Sequence, residues 1–585
     1  MSFDARSAFE KGLHGDVVKH VSAPGETAAD STALIGSLAF LGRLDEAIAI
    51  FNDRVAALSD SERARARFTI AVALTRISKF KSARRWLREN LRDPSCGSQA
   101  DVYQGLAFYQ YYFGNFEKAA KRAKQSLQLA LKNSDRYMHS LAIDLYGHAL
   151  VQTGRRSLGL QKLSEAIALS KRKDLASPTA VAKLLYESEA GYRPNVMIAE
   201  LKSTVDQLGQ DDSYSRANAT LELARQLTLR GDWNEARSVL DAISPAVYAF
   251  QNRRQEAVLQ LRLCELSYRR GDAASAQHFL QAARRCLLKI ADSAYEVKVL
   301  GLEAKLEQKL FGREMPAASR ERLSELGRIN PHSMSQRIFA RATGETHLEN
   351  GDDPLGELLD RVAADVNAID ELVSIGYLGL VPEAKGWNSG APTLALLPDG
   401  NWIAASQAGV SASSTALSPL SIRLLKALAR GRLAKSDLAK AGWSYEYDPL
   451  RHDPMIYTAL AGLRRSLAPV GHWIFTEDEG WSLSDHGRKI SFIDESRARP
   501  ELSTATESAE DARASLTSPV DESLNWRQFK MLQLKASSEP WTVPRYKKQF
   551  KVSTMTAWRD LDTLAKTGYL TRLGRGRATV YLPKS

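Results

Sequence analysis

The sequence predicts a mainly α chain, with a long solenoid of paired helices followed by two small α+β domains. Three observations carry this expectation. Small residues five positions apart recur at Gly42/Ala47, Ser78/Ala83, Gly114/Ala119, Gly154/Gly159, Gly231/Ala236 and Gly271/Ala276. Beyond about residue 390 short alternating strand-like pieces interleave with helical ones. The basic charge is local, because Leu524 to Ser585 holds 13 Lys/Arg against 3 Asp/Glu, or +10 of a whole-chain +12. At 585 residues the chain exceeds the roughly 250–300 that one hydrophobic core serves, so several modules are expected.

The repeats occupy residues 1–312. The turn positions are spaced by 36, 36, 40, 77 and 40 residues, and the 77 accommodates two units with Gly191 at the expected intermediate place. Around each pair the apolar residues recur at i, i+3, i+4 and i+7, as in Leu44 to Phe51, which makes both arms amphipathic helices. Paired helices at this period stack into a solenoid. With Gly at the turn, Ala at the crossing point and a large residue four further on (Phe51, Leu87, Leu163, Leu240, Leu280), the unit resembles the tetratricopeptide repeat. It is slightly longer than that repeat and mostly lacks its Trp and terminal Pro. The resemblance implies a concave inner wall carrying Arg65, Arg76, Phe108, Tyr111, Tyr112 and His148, suited to a protein or peptide partner or to self-association. The competing reading of the aromatic helix Val102 to Phe116 is packed core.

Residues 313–390 read as a helical extension and linker, and 391–490 as the first α+β domain. Strands are expected at Thr393 to Leu397 and Asn401 to Ala405. Helices are expected from Pro419, capped by Ser418, from Ala434 to Ala441 and from Pro454 to Leu467, followed by strands Trp473 to Thr476 and Gly480 to Leu483. This order resembles the winged-helix output domain of OmpR/PhoB-type response regulators, and Leu463-Arg464-Arg465-Ser466-Leu467 looks like the end of its recognition helix. Arg464 and Arg465 are therefore the candidate DNA contacts of this domain. Its wing reads Glu477-Asp478-Glu479, which repels phosphate, and Leu417 to Ser484 holds 9 basic against 7 acidic residues. Dimerisation or docking on the repeats is the alternative role. No receiver domain precedes it.

Residues 491–522 are rich in Ser, Thr, Ala and charge, and read as a flexible linker. Residues 523–585 then form the second α+β domain. A first helix runs from a Ser523 cap to Lys535, a second from Thr542 and Pro544 to Phe550, and Lys551-Val552-Ser553 turns into a third. Ala557, Leu561 and Leu564 fall on one face of that third helix, so Met555, Thr556, Arg559 and Asp562 lie opposite. A helix presenting Arg and Thr fits the major groove of DNA. Lys547, Lys548 and Lys551 beside it, and Arg572, Arg575 and Arg577 on a following hairpin, suit phosphates. The pattern VSxxTxxRDLxxL with a basic GRG-bearing wing resembles the DeoR-type winged helix-turn-helix, with Thr556, Arg559, Asp560 and Leu561 matching. Trp558 stands where that motif has a first Arg. Ser553, Thr554, Thr556, Trp558 and Arg559 thus complete the expected DNA-binding set.

The sequence has no GxxxxGK[ST], HExxH or GxSxG pattern, and its ten His are scattered, so neither catalysis nor a metal or cofactor is expected. Cys96, Cys264 and Cys286 are isolated thiols, which fits a reducing cytoplasm. No apolar run approaches the roughly 18 residues of a membrane span. The expectation is a cytoplasmic transcription regulator that binds double-stranded DNA, with a non-catalytic adaptor as the alternative.

Overall fold

The structure is a computed structural model. It describes residues 3–21, 27–93, 95, 100–170, 178–190, 194–208, 213–288, 290, 292–309, 311–329, 338, 354–364, 369–384, 387, 392–406, 409–412, 415–477, 480–485, 487–494, 531, 540–550, 552–566, 570–574 and 579–583. The chain is mainly helical and divides into two compact units, Met1–Arg499 and Pro500–Ser585.

In the first unit the expected helix pairs are present, from Ala28–Phe40 with Leu44–Arg54 through Arg253–Arg269 with Ala273–Leu287. The turn residues take the left-handed backbone the pattern requires, with φ of 83° at Gly42, 62° at Ser78, 69° at Gly114, 78° at Gly154, 108° at Gly231 and 72° at Gly271. The small residues five further on are where helices cross. Ala47, Ala83, Ala119, Ala236 and Ala276 are fully buried, and a Cβ on Gly159 would lie 2.7 Å from the Gly147 carbonyl oxygen. The degenerate unit is a helix pair too, Pro178–Ala190 and Pro194–Gln207, although Gly191 lies outside the described residues.

The pairing begins before the first of the recurring turns and runs past the expected end at residue 312. Ala5–Glu10 and His14–His20 precede that turn, joined through Gly12 at φ 77°, with buried Val17 in the place of the small residue. Ser293–Lys309 pairs with Ala317–Ile329, so the helical stacking crosses residue 312.

The stretch read as extension and linker carries core residues. After Pro354–Ala364 and Ile369–Ile375, a 3-10 turn at Leu378–Glu383 sends Tyr377, Leu378, Leu380, Val381 and Trp387 into one hydrophobic cluster. That cluster also holds Leu227, Trp233 and Leu259 of the helices and Ala395, Ile403 and Ile493 of the strands. Because its two ends supply one core, this segment fastens the solenoid to the sheet.

The strands are β1 Thr393–Leu396, β2 Trp402–Ser406, β3 Gly409–Ala412, β4 Ile474–Glu477, β5 Gly480–Asp485, β6 Arg488–Lys489 and β7 Ser491–Ile493. They form a sheet in the order β3-β2-β1-β7 and a second in the order β4-β5-β6. β7 pairs in parallel with β1 through Thr393 opposite Ser491 and Ala395 opposite Ile493. Ser491–Ile493 was expected to open the linker, and buried Ile493 is the reason it is a strand instead. Between the sheets lie helices Pro419–Leu428, Lys435–Trp443 and Pro449–Ser466, with the Ser421 amide donating to Ser418 Oγ at 3.1 Å as expected of the cap. The third helix begins five residues before the expected Pro454. Asp448 accepts from the Leu450 amide at 3.0 Å and Pro449 occupies the first turn, a stronger start signal than Pro454 within.

The second unit contains helices Val543–Phe550 and Thr554–Lys566 and the antiparallel pair β8 Leu570–Leu573 and β9 Val580–Pro583. Its core is Met531, Trp541, Tyr546, Ala557, Leu561, Leu564, Leu570 and Tyr581. Of the expected first helix Ser523 to Lys535, only helical Met531 is described.

Candidate functional site

The site is assembled on the helix Thr554–Lys566. Ser553 starts it, accepting from the Thr556 amide at 3.1 Å while the two hydroxyls lie 2.8 Å apart. Ala557, Leu561 and Leu564 are each fully buried, so the opposite face is fixed toward solvent. On that face Thr554, Met555, Trp558 and Arg559 are exposed and Thr556 is half-buried. Arg559 pairs with no carboxylate among the described residues, so its planar fork of donors is available to an external acceptor.

The preceding helix is held by aromatic packing. Tyr546 and Phe550 rings are 4.5 Å apart, Trp541 lies 6.0 Å from Tyr546, and the Arg545 guanidinium caps the Trp541 ring at 4.6 Å. Trp541 also exchanges two backbone hydrogen bonds with Tyr581, at 2.9 and 2.7 Å, which adds a short third strand position to the β8–β9 wing. Lys547 and Lys548 project into solvent from this helix.

Two features escaped sequence reasoning. Asp560 is buried, and Tyr546 Oη donates to its Oδ2 at 3.1 Å, which clamps the two helices of the motif together. Asp562, expected on the open face, is largely covered and accepts from Lys566 at 2.9 Å, with Arg572 of β8 at 3.6 Å. Arg572 is therefore tethered to the helix as well as exposed toward solvent. The spacing Tyr546 to Asp560 crosses two helices, and no local pattern marks it. Lys551, Arg575 and Arg577 lie outside the described residues.

In the first unit, Arg464 and Arg465 end the helix Pro449–Ser466. Arg464 donates to the Ile474 carbonyl at 2.8 Å and to Thr476 Oγ1 at 2.8 Å, so it braces β4, whereas Arg465 is exposed. Of the acidic tip, Glu477 is met by Arg432 at 3.3 Å, and Asp478 and Glu479 lie outside the described residues.

Of the residues expected on the inner wall of the repeats, Arg76, Phe108, Tyr111, Tyr112 and His148 line a cavity of about 1250 Å³. Arg65 is not in that lining; it is held by Asp101 at 2.9 Å and Asp135 at 2.5 Å. Tyr111 and Tyr112 are buried, as packed core requires, whereas Phe108 is half-buried. Tyr112 Oη lies 2.7 Å from Tyr214 Oη, and Tyr111 Oη 3.0 Å from Tyr186 Oη, so these side chains close the superhelix across its interior.

A capped helix with a buried stripe, a clamped preceding helix and a two-stranded wing define a winged helix-turn-helix. Residues 527–581 match the DeoR-like helix-turn-helix domain, and the chain therefore ends in such a domain. A comparison with curated proteins gave no match.

Proposed function

We propose that this chain is a cytoplasmic, non-catalytic transcription regulator that binds double-stranded DNA through Thr554–Lys566. The observation that carries this reading is the exposed Arg559, with no carboxylate partner among the described residues, on a helix whose orientation is fixed by Ala557, Leu561 and Leu564. In it, Arg559 and Thr556 read base edges, Trp558 packs on the backbone flank, and Ser553 and Thr554 touch phosphate at the helix start. Lys547, Lys548, Lys551, Arg572, Arg575 and Arg577 supply sequence-independent attraction. Arg465 of the OmpR/PhoB-like region is a secondary DNA contact. The tetratricopeptide-like solenoid serves as the receiving module, for a partner or for self-association.

The test uses the full chain. Duplexes selected from a random library are titrated over a salt series, and affinity should fall with a slope of about −0.9 per phosphate contacted. Arg559→Ala should cost about 1–3 kcal/mol on selected duplexes and little on random ones. A flat salt response, or equal loss on both duplex sets, overturns base reading by this helix. The exposed Met555 (60%) and Trp558 (43%) favour the second reading, an adaptor whose winged helix docks a protein. That reading requires Trp558→Ala to abolish partner capture while salt and duplex have no effect.

A further inference from the structure

The lining of the solenoid cavity holds a cation with no counter-ion among the described residues. The Arg76 guanidinium lies over the rings of Tyr214 at 5.0 Å, Phe40 at 5.2 Å and Phe108 at 5.9 Å. No carboxylate pairs with it among the described residues, and its Nε is buried without a hydrogen-bond partner. Three other cations of the lining are paired. Arg254 meets Asp292 at 2.9 Å, Arg262 meets Glu222 at 3.3 Å, and Lys298 meets Glu189 at 2.5 Å. A guanidinium stacked on aromatic faces is pre-organised and weakly hydrated, so it binds an oxyanion with little loss of rotamer freedom.

Two residues of the same lining carry buried acceptors that have no donor among the described residues. Gln104 is 4% exposed, donates its amide nitrogen to the Leu141 carbonyl at 2.7 Å, and leaves Oε1 without a partner. Gln255 is 2% exposed, donates to the Tyr214 carbonyl and to Asn218 Oδ1, both at 3.0 Å, and likewise leaves Oε1 unpartnered. Buried acceptors without donors cost free energy unless a ligand supplies N–H or O–H groups. Phe68, Phe108 and Val72 give the lining its apolar surface. At about 1250 Å³ the space exceeds the roughly 300–1,000 Å³ of ordinary small-molecule sites.

We infer that this cavity is a binding site for a small aromatic or heteroaromatic oxyanion, its acidic group on Arg76 and its N–H or O–H donors on Gln104 and Gln255. The inference is independent of DNA binding, which the second unit performs and which a DNA titration of the same samples reads separately.

The test is a fluorescence titration of the full chain with 1-anilinonaphthalene-8-sulfonate, an aromatic sulfonate bearing one N–H, beside its uncharged analogue N-phenyl-1-naphthylamine. The sulfonate should bind saturably at one site and at least tenfold more tightly than the neutral analogue. Arg76→Met should remove that preference and leave the neutral probe within twofold. Phe108→Glu should have the same effect, because it sets a carboxylate beside the guanidinium while keeping Arg76 and two of its three rings. Either variant showing native circular dichroism suffices. Equal affinity for the two probes, non-saturable binding, or an unchanged preference in a folded variant overturns the site.

Discussion

Individual side chains in this molecule are set by what they lack as much as by what they touch. Tyr546→Phe leaves Asp560 buried with one donor fewer, and should destabilise the second unit by about 1–3 kcal/mol in thermal melts monitored there. Arg559→Ala, on open surface, should leave the same melt unchanged. Cys264 is fully buried, its thiol donates to the Ala276 carbonyl at 3.1 Å, and burial raises its pKa. It should resist alkylation until the chain unfolds, whereas protection lost at native temperature would contradict this packing. His148 receives or gives a hydrogen bond to Tyr186 Oη at 2.9 Å. Burial lowers its pKa, against the upward pull of Asp144 and with the downward push of Arg254. The unfolded chain therefore takes up this proton first as pH falls. Stability from the neutral ring is complete above the unfolded value of about 6.5 and is lost as pH falls through the folded one. His148→Asn should melt with a shallower dependence on pH below that value than the parent chain.

At the level of elements, the 3-10 turn Leu378–Glu383 is the most sensitive joint. A Cβ on Gly379 would stand 2.4 Å from the Thr228 carbonyl oxygen and 2.7 Å from that of Leu229, and Arg269 donates to the Gly379 carbonyl at 2.8 Å. Gly379→Ala should destabilise the first unit by about 1–3 kcal/mol, since backbone cannot yield as a side-chain tip can. A melt unchanged by this substitution would show that the turn does not press on the helix. Turns of this chain were legible in the sequence because Gly42, Gly114 and Gly271 answer a local backbone demand. The stripe Ala557, Leu561 and Leu564 was legible because helical period is local too. Residues 378–387 were not, because their partners lie over a hundred positions away, as Gly379 and Thr228 do. Asp562 with Arg572 was hidden for another reason, because only ten positions part them but they meet through the return of β8 onto the helix, and the N-terminal pair falls outside the turn pattern because Val17 stands at the small-residue place.

For the whole molecule, the shared core makes Met1–Arg499 one folding unit. Calorimetry of residues 1–499 should give a single transition with equal calorimetric and van't Hoff enthalpies. Truncation after residue 368 removes Tyr377, Leu378, Leu380, Val381 and Trp387 from that core and should yield an aggregating product. A soluble, fully melting 1–368 fragment would refute the shared core. The β1–β2 turn adds a second fastening, because Asp399 Oδ2 accepts from the Asn234 amide at 2.9 Å beside Gly231, where a Cβ would come within 3.1 Å of Leu397.

The interior contacts between Arg76 and Tyr214, Tyr112 and Tyr214, and Tyr111 and Tyr186 have a consequence for how this array can change. Open solenoids lengthen or shorten by whole units, since each unit meets only its neighbours. Here non-neighbouring units grip one another, so duplicating or deleting a helix pair between residues 76 and 214 would put every later side chain out of step with its mate. The number of units along that stretch is therefore held constant by geometry, and variation among kindred chains should be confined to single residues there and to whole-unit gain or loss elsewhere.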